Sequence, residues 1–295
     1  MRSDSAWVPA ANAIDDRAER EGAATGWDAR LALRFEREGA RTVLRERVHA
    51  GPLRVQKALY PEGESVCQVV VVHPPAGVVA GDSLTIDVDA GAGAHVQATT
   101  PGAAKWYRST GRVARSSTTV RVAAGAIVEW LPLETLLFDG AQAAIGLAIE
   151  LAADARFIGW EITCLGRIAS GERFASGRIE QQFDLRRDGK LLWCDRIVLE
   201  GGARALQSGA ILGGATVYGT MVAAPADISD PLLGACRAIR CDRGNGAVTR
   251  LPHVFVARFV GDSAAEARTY FATLWSLLRP ALAGREAAYP RIWNT

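Results

Sequence analysis

Five acids, Glu134, Asp139, Glu161, Glu172 and Asp195, fall within or at the ends of segments that otherwise read as apolar β-structure. A sixth, Asp82, stands at the lip of a strand that begins just after it. A carboxylate on an apolar strand face needs a partner, water or a proton to offset its desolvation. Asp195 is the clearest case, because Leu191, Trp193, Ile197 and Leu199 share one face with it, while Arg196 points the other way. Glu161 falls on the parity of Phe157 and Gly159, opposite Ile158, Trp160 and Ile162. Two converging carboxylates can hydrolyse a glycosidic bond, and stacked β-folds host such sites. The plain alternative is that each acid is held by a buried arginine or backbone group, such as Arg167 or Arg196.

Other reactive groups are sparse. The chain has no nucleotide-binding glycine loop, no H-E-x-x-H zinc motif and no G-x-S-x-G nucleophile elbow. Its four histidines, His49, His73, His95 and His253, are scattered. Cys236 and Cys241 have no second pair to complete a closed zinc site. Cys67 and His73 could offer a soft, transient ligand pair to a metal such as nickel or copper, but strand-end packing explains both residues as well.

Composition excludes several classes. A net charge of +2, without basic runs, gives no reason to expect nucleic-acid binding. No apolar run reaches the length of a membrane span, and the first residues lack an apolar signal core. Five cysteines without framework spacing point to reduced thiols in a cytoplasmic protein. With 49% hydrophobic residues, the 295-residue chain can bury a large core.

These side chains require strands to position them. Residues 1–26 read as a flexible N-terminal arm and residues 27–295 as a single domain. Val69 to Val72 reads as a buried strand, ended by Pro74 and Pro75. Leu84, Ile86 and Val88 share one face of the next, with Thr85, Asp87 and Asp89 opposite. A weak repeat follows: Val88, Val120 and Ile149 each stand five residues before Gly93, Gly125 and Asp154, and alanine comes next each time. Strand, tight turn, strand units at that spacing predict stacked β-layers. Asp188-Gly189 predicts a hairpin turn. Helical signals come late, with Asp230-Pro231 as N-cap and first position before Leu232 to Ile239. Ser263 and Glu266 form a capping box before the stripe Ala267, Tyr270, Phe271, Leu274 and Leu278, and Pro280 follows its end. The expected fold is mostly β, a β-helix-like stack of two sheet layers with a few helices near the C-terminus.

The string H-P-P-A-G-V-V-A-G-D (His73 to Asp82) resembles the first signature of the urease accessory protein UreD family, called UreH in some bacteria. T-T-P-G-A-A-K-W-Y-R-S (Thr99 to Ser109), W-L-P-L-E-T-L-L-F-D-G-A (Trp130 to Ala141) and G-W-E-I-T-C-L-G-R-I-A-S-G-E (Gly159 to Glu172) are similar to the next three. The ending L-R-P…G-R…P-R-I-W (Leu278 to Trp293) resembles that of the family. Ala76 and Ala80 stand where glycine is usual, and the N-terminal arm is longer than usual. The resemblance implies a non-enzymatic metallochaperone component that binds apo-urease and the partners UreF and UreG. It would hold no tight cofactor, only nickel in transit through a polar internal tunnel. On that reading Asp82, Glu161 and Asp195 are the candidate metal-contacting residues of a hydrated acidic path, since hard oxygen ligands bind nickel less durably than thiolates or imidazoles.

Overall fold

The computed structural model describes residues 26–109, 111–225 and 227–294. The expected N-terminal arm therefore lies outside the described residues, apart from Gly26. In chain order the strands are β1 (Asp28–Glu38), β2 (Arg41–Ala50), β3 (Arg54–Val55), β4 (Val66–Val72), β5 (Ser83–Ala90) and β6 (His95–Thr99). Then come β7 (Ala104–Trp106), β8 (Ala114–Val122), β9 (Ile127–Leu131), β10 (Thr135–Leu137), β11 (Gln142–Leu151) and β12 (Arg156–Leu165). The last are β13 (Arg178–Arg187), β14 (Lys190–Glu200), β15 (Val217–Ala224), β16 (Gly244–Arg250) and β17 (Phe255–Gly261). The helices are α1 (Asp230–Ala238) and α2 (Ala264–Ala283).

Two sheets stack face to face. One runs β14-β13-β11-β8-β5-β1-β2, and the other runs β16-β17-β15-β12-β9-β6-β4-β3 with β7 and β10 alongside. Between β4 and β13 the chain alternates between them, and within each sheet the successive coils pair in parallel. The repeat seen in the sequence is this coil. Val88 pairs with Val120, and Val120 with Ile149, in one ladder that Leu33 and Leu185 extend on either side. All five are at most 1% exposed. Burying each such side chain contributes roughly 1.5–3 kcal/mol, which fixes the register, because a slip of one residue would turn the whole ladder outward.

The turns stack as well. Gly93 and Gly125 both adopt positive φ, 67° and 65°. Gly93 N–H donates to the Ala124 carbonyl at 2.9 Å. Where the third copy replaces glycine, Asp154 instead accepts from Gly125 N–H at 2.8 Å. The coil ends at Asp188 (φ 47°) and Gly189 (φ 76°), two consecutive left-handed residues that send β14 back antiparallel to β13. Ala76 sits at φ 61°, a conformation that favours glycine, the residue usual there in the signature this string resembles.

The helices cover the outer face of the second sheet. Ile158, Trp160 and Ile162 of β12 pack there with the predicted α2 stripe, all of it buried. Three local expectations need correction. The cap of α1 is Ser229, whose Oγ accepts from Leu232 N–H at 3.3 Å, one residue before Asp230. Ser263 caps α2, but Glu266 does not reciprocate: its carboxylate accepts instead from the Asp242 and Arg243 amides. Pro280 lies inside α2, which runs on to Ala283 and ends at Gly284 in the left-handed conformation. Proline's fixed φ suits a helix, and the buried side chains Leu278, Arg279 and Leu282 hold this last turn against the sheet.

One buried ionic group joins helix and sheet. Arg279 of α2 is 0% exposed and meets Glu129 of β9, also 0% exposed, through Nε at 2.9 Å. Its Nη1 and Nη2 donate to Glu62 at 2.6 and 2.8 Å. Trp275 Nε1 donates to Glu129 at 2.6 Å, and His95 Nε2 lies 2.6 Å from the other oxygen of that carboxylate.

Candidate functional site

The inward faces of the two sheets leave a space that their side chains do not fill. Its larger part is a cavity of about 320 Å³, walled by Ile86, Ser116, Thr118, Trp130, Thr135 and Glu161 among others. A smaller part, about 30 Å³, adds Thr163, Gln181, Asp195, Tyr218 and Thr220. Ile145, Leu147 and Glu161 border both, so Glu161 stands at their junction. The smaller part has room for one water, and its polar lining offers the partners such a water needs.

Strand parity places each polar group. Ser116 and Thr118 share the inward face of β8 with Val120. On β12 the inward parity is that of Phe157 and Glu161, whereas Ile158, Trp160 and Ile162 face the helices. Gln181 Nε2 donates to Thr163 Oγ1 at 3.0 Å, and the Tyr218 hydroxyl donates to Gln181 Oε1. The sequence reading does not single out these hydroxyl and amide groups. Their signal is a polar residue on the core parity of an otherwise apolar strand, as at Ser116, Thr118, Thr163 and Gln181.

Glu161 is enclosed by the fold yet keeps some accessible surface, because it faces this space. Trp130 Nε1 donates to its Oε1 at 3.1 Å, and among the described residues no cationic side chain pairs with it. Burial pushes its carboxyl up to about 7, against which the Trp130 bond pulls weakly. Asp195, at the far end of the smaller part, is neutralised by Arg258 Nη1 at 2.7 Å and accepts from Thr220 Oγ1 at 3.3 Å. Its partner is thus Arg258 and not Arg196. Leu191 does not share its face, because Leu192 is an extra residue in a β-bulge that turns Leu191 outward.

Asp82 stands apart. Its two oxygens accept from the backbone amides of Trp27 (2.8 Å) and Val79 (2.9 Å), so it ties the start of β1 to the first signature turn. The other acids are also engaged away from the cavity. Asp139 accepts from the Ala175 and Ser176 amides and pairs with Arg108, Glu172 pairs with Arg167, and Glu134 lies 3.9 Å from Arg268. Of the five acids only Glu161 and Asp195 border a common space, and at about 30 Å³ it has no room for the sugar ring that glycoside hydrolysis requires.

His73 borders the larger cavity, and burial lowers its pKa, which favours the neutral ring. Cys67 is buried at the other end of β4, about 20 Å away along an extended strand, so the two form no ligand pair. Cys236 and Cys241 are free thiols. Among the described residues no three His, Cys, Asp or Glu side chains converge so as to hold a metal ion.

The Glu161 environment has a consequence for stability. Its folded pKa lies above the 4.5 of an ordinary glutamate, so the folded chain holds this proton more tightly than the unfolded one. Stability from this group falls as pH rises from 4.5 to about 7 and stays lower above that, by about 3 kcal/mol. Glu161→Gln is expected to remove that decline. The variant should be more stable than the wild-type chain at pH 8 and similar to it below pH 5. Urea unfolding across this range checks it, and parallel curves would contradict the assigned environment.

A family model described as UreD urease accessory protein matches residues 28–294. The chain is 50% identical over 286 residues to a protein from Azoarcus sp. (strain BH72) named urease accessory protein UreD, covering 96% of this chain and 100% of that one. It is 51% identical to the protein of the same name from Dechloromonas aromatica (strain RCB), covering 91% and 95%. The likeness to the Pseudomonas aeruginosa PAO1 protein of that name is 49%, again over 91% and 95%. No helix among the described residues is long and apolar enough to cross a membrane.

Proposed function

The chain belongs to the UreD urease accessory protein family, an accessory family and not an enzyme family, and from that premise we propose that it conducts nickel toward apo-urease through the space between its sheets. The observation that carries this reading is Glu161, a carboxylate with no cationic partner among the described residues, at the junction of the two internal cavities. A dication entering there meets a carboxyl that is about half ionised near pH 7, whose remaining proton it would displace, and a run of hydroxyl and amide oxygens. Such hard, sparse ligands bind weakly enough for the ion to leave as well as enter. Asp195, already balanced by Arg258, would line the smaller part of the path and contribute less charge. Asp82 would serve the path only indirectly, by fixing the first signature turn.

On this reading the chain acts within an assembly with UreF, UreG and apo-urease in the cytoplasm, and nickel is its cargo and not a resident cofactor. The test is Glu161→Gln, which keeps the shape and removes the charge. The partner complex should still form in a pull-down, while the urease matured with it should contain less nickel by metal analysis and show correspondingly lower activity. Full nickel loading by the variant would overturn the conduit. Loss of the complex together with nickel would assign Glu161 a structural role instead.

A further inference from the structure

Among the described residues five strands form the edges of the two sheets: β2 and β14 on one, and β3, β16 and the three-residue β7 on the other. An unpaired edge offers a row of backbone donors and acceptors to another strand unless it is short, charged or kinked. Strand β3 has only two residues, and β16 carries glycine at positions 244 and 246. Strand β2 exposes Val48 but surrounds it with Arg41, Arg45, Glu46 and Arg47. Strand β14 differs. It runs eleven residues and has no strand on its outer edge among the described residues. It exposes Leu191 (43%) and Val198 (55%), with Cys194 and Arg196 between them.

We propose that two copies of this chain associate through their β14 edges, antiparallel about a two-fold axis at Asp195. An isologous contact requires the strand to be complementary to itself. With the axis at Asp195, Arg196 faces Cys194 of the second copy, and Ile197 faces Trp193. The bulge then becomes informative. Because Leu192 is the extra residue and packs toward the core, Leu191 takes the next outward position, opposite Val198 of the second copy. The two exposed apolar residues of the strand thus cover each other, twice over. On the inward side, Trp193 and Ile197 are only partly buried in one copy, and each gains an apolar partner. Lys190 comes within reach of Glu200, which already pairs with Arg178. The two Asp195 side chains meet near the axis, and each carries its own Arg258 as counter-ion.

The test uses the full chain. Sedimentation velocity over a range of concentration should show a monomer–dimer equilibrium in the wild-type chain, and Val198→Lys should abolish the dimer without altering the circular dichroism spectrum. Arg196→Cys places a thiol opposite Cys194 of the second copy at a Cα separation of about 4.5–5.5 Å, within disulfide range. Diamide should convert that variant into a covalent dimer far faster than it does the wild-type chain or Val198→Cys, whose added thiol lies two positions off register. A strictly monomeric wild-type chain, a dimer untouched by Val198→Lys, or equal cross-linking by Arg196→Cys and Val198→Cys would each overturn the proposal.

Discussion

Replacing Arg279 by alanine is expected to destabilise the chain by about 3–5 kcal/mol, because it strands buried carboxylates without their counter-charge. The guanidinium has no exposed surface and meets Glu129 and Glu62 at once. Burial by itself would push the Glu129 carboxyl up, but the contacts with His95 and Arg279 outweigh it and hold the group below the usual range. An ionised Glu129 can only accept, so His95 Nε2 carries the proton in that contact. The sign follows from the lowered pKa. The contribution of Glu129 is present above the ordinary glutamate pKa and is lost as pH falls through the lower folded value.

The same cluster predicts a non-additive pair. Glu129→Gln alone should also be strongly destabilising, whereas Glu129→Gln with Arg279→Met should cost clearly less than the sum of the two single changes. Thermal melts at pH 7 would read the loss as a shift on the order of 10 °C for Arg279→Ala. A change within 1 kcal/mol, or strict additivity in the double variant, would mean that the cluster does not hold α2 to the sheet.

Phe271→Ala is the second large effect, expected to cost about 3–5 kcal/mol through a cavity that its neighbours cannot fill. Phe271 is wholly buried, and its ring stacks near Trp160 with centroids 6.2 Å apart. It also packs so closely on β15 that a Cβ added at Gly219 would lie 2.6 Å from its Cε2. That contact requires glycine at position 219 whatever its backbone angles. Ser263→Ala, at the start of the same helix, removes only one capping bond and should cost about 1 kcal/mol. Equal shifts in melting temperature for the two variants would show that the stripe is not the main anchor of α2.

The local features were legible in the sequence because they depend on neighbours along the chain. Alternation separated the two faces of β12, with Glu161 on the parity of Phe157 and apart from Ile158, Trp160 and Ile162, although which face turns inward was left to the packing. The recurrence of Val88, Val120 and Ile149 before a tight turn announced the coil, since stacked copies must repeat the same inward residue at the same height. The Asp188-Gly189 turn and the helical stripe were read in the same way.

What the tertiary structure decided is who meets whom. Asp195 finds Arg258 on β17 of the opposite sheet, Asp82 finds the amide of Trp27, and Arg279 finds Glu62, 217 residues away along the chain. Each pairing is set by sheet order and by the distance between layers, which no short window contains. The bulge at Leu192 is of the same kind, because it exists only relative to the register of β13. So is the difference between three acids that looked alike. Asp82 is spent on backbone amides and Asp195 on an arginine, whereas Glu161 opens onto an internal space that exists only where two sheets fail to fill the gap between them.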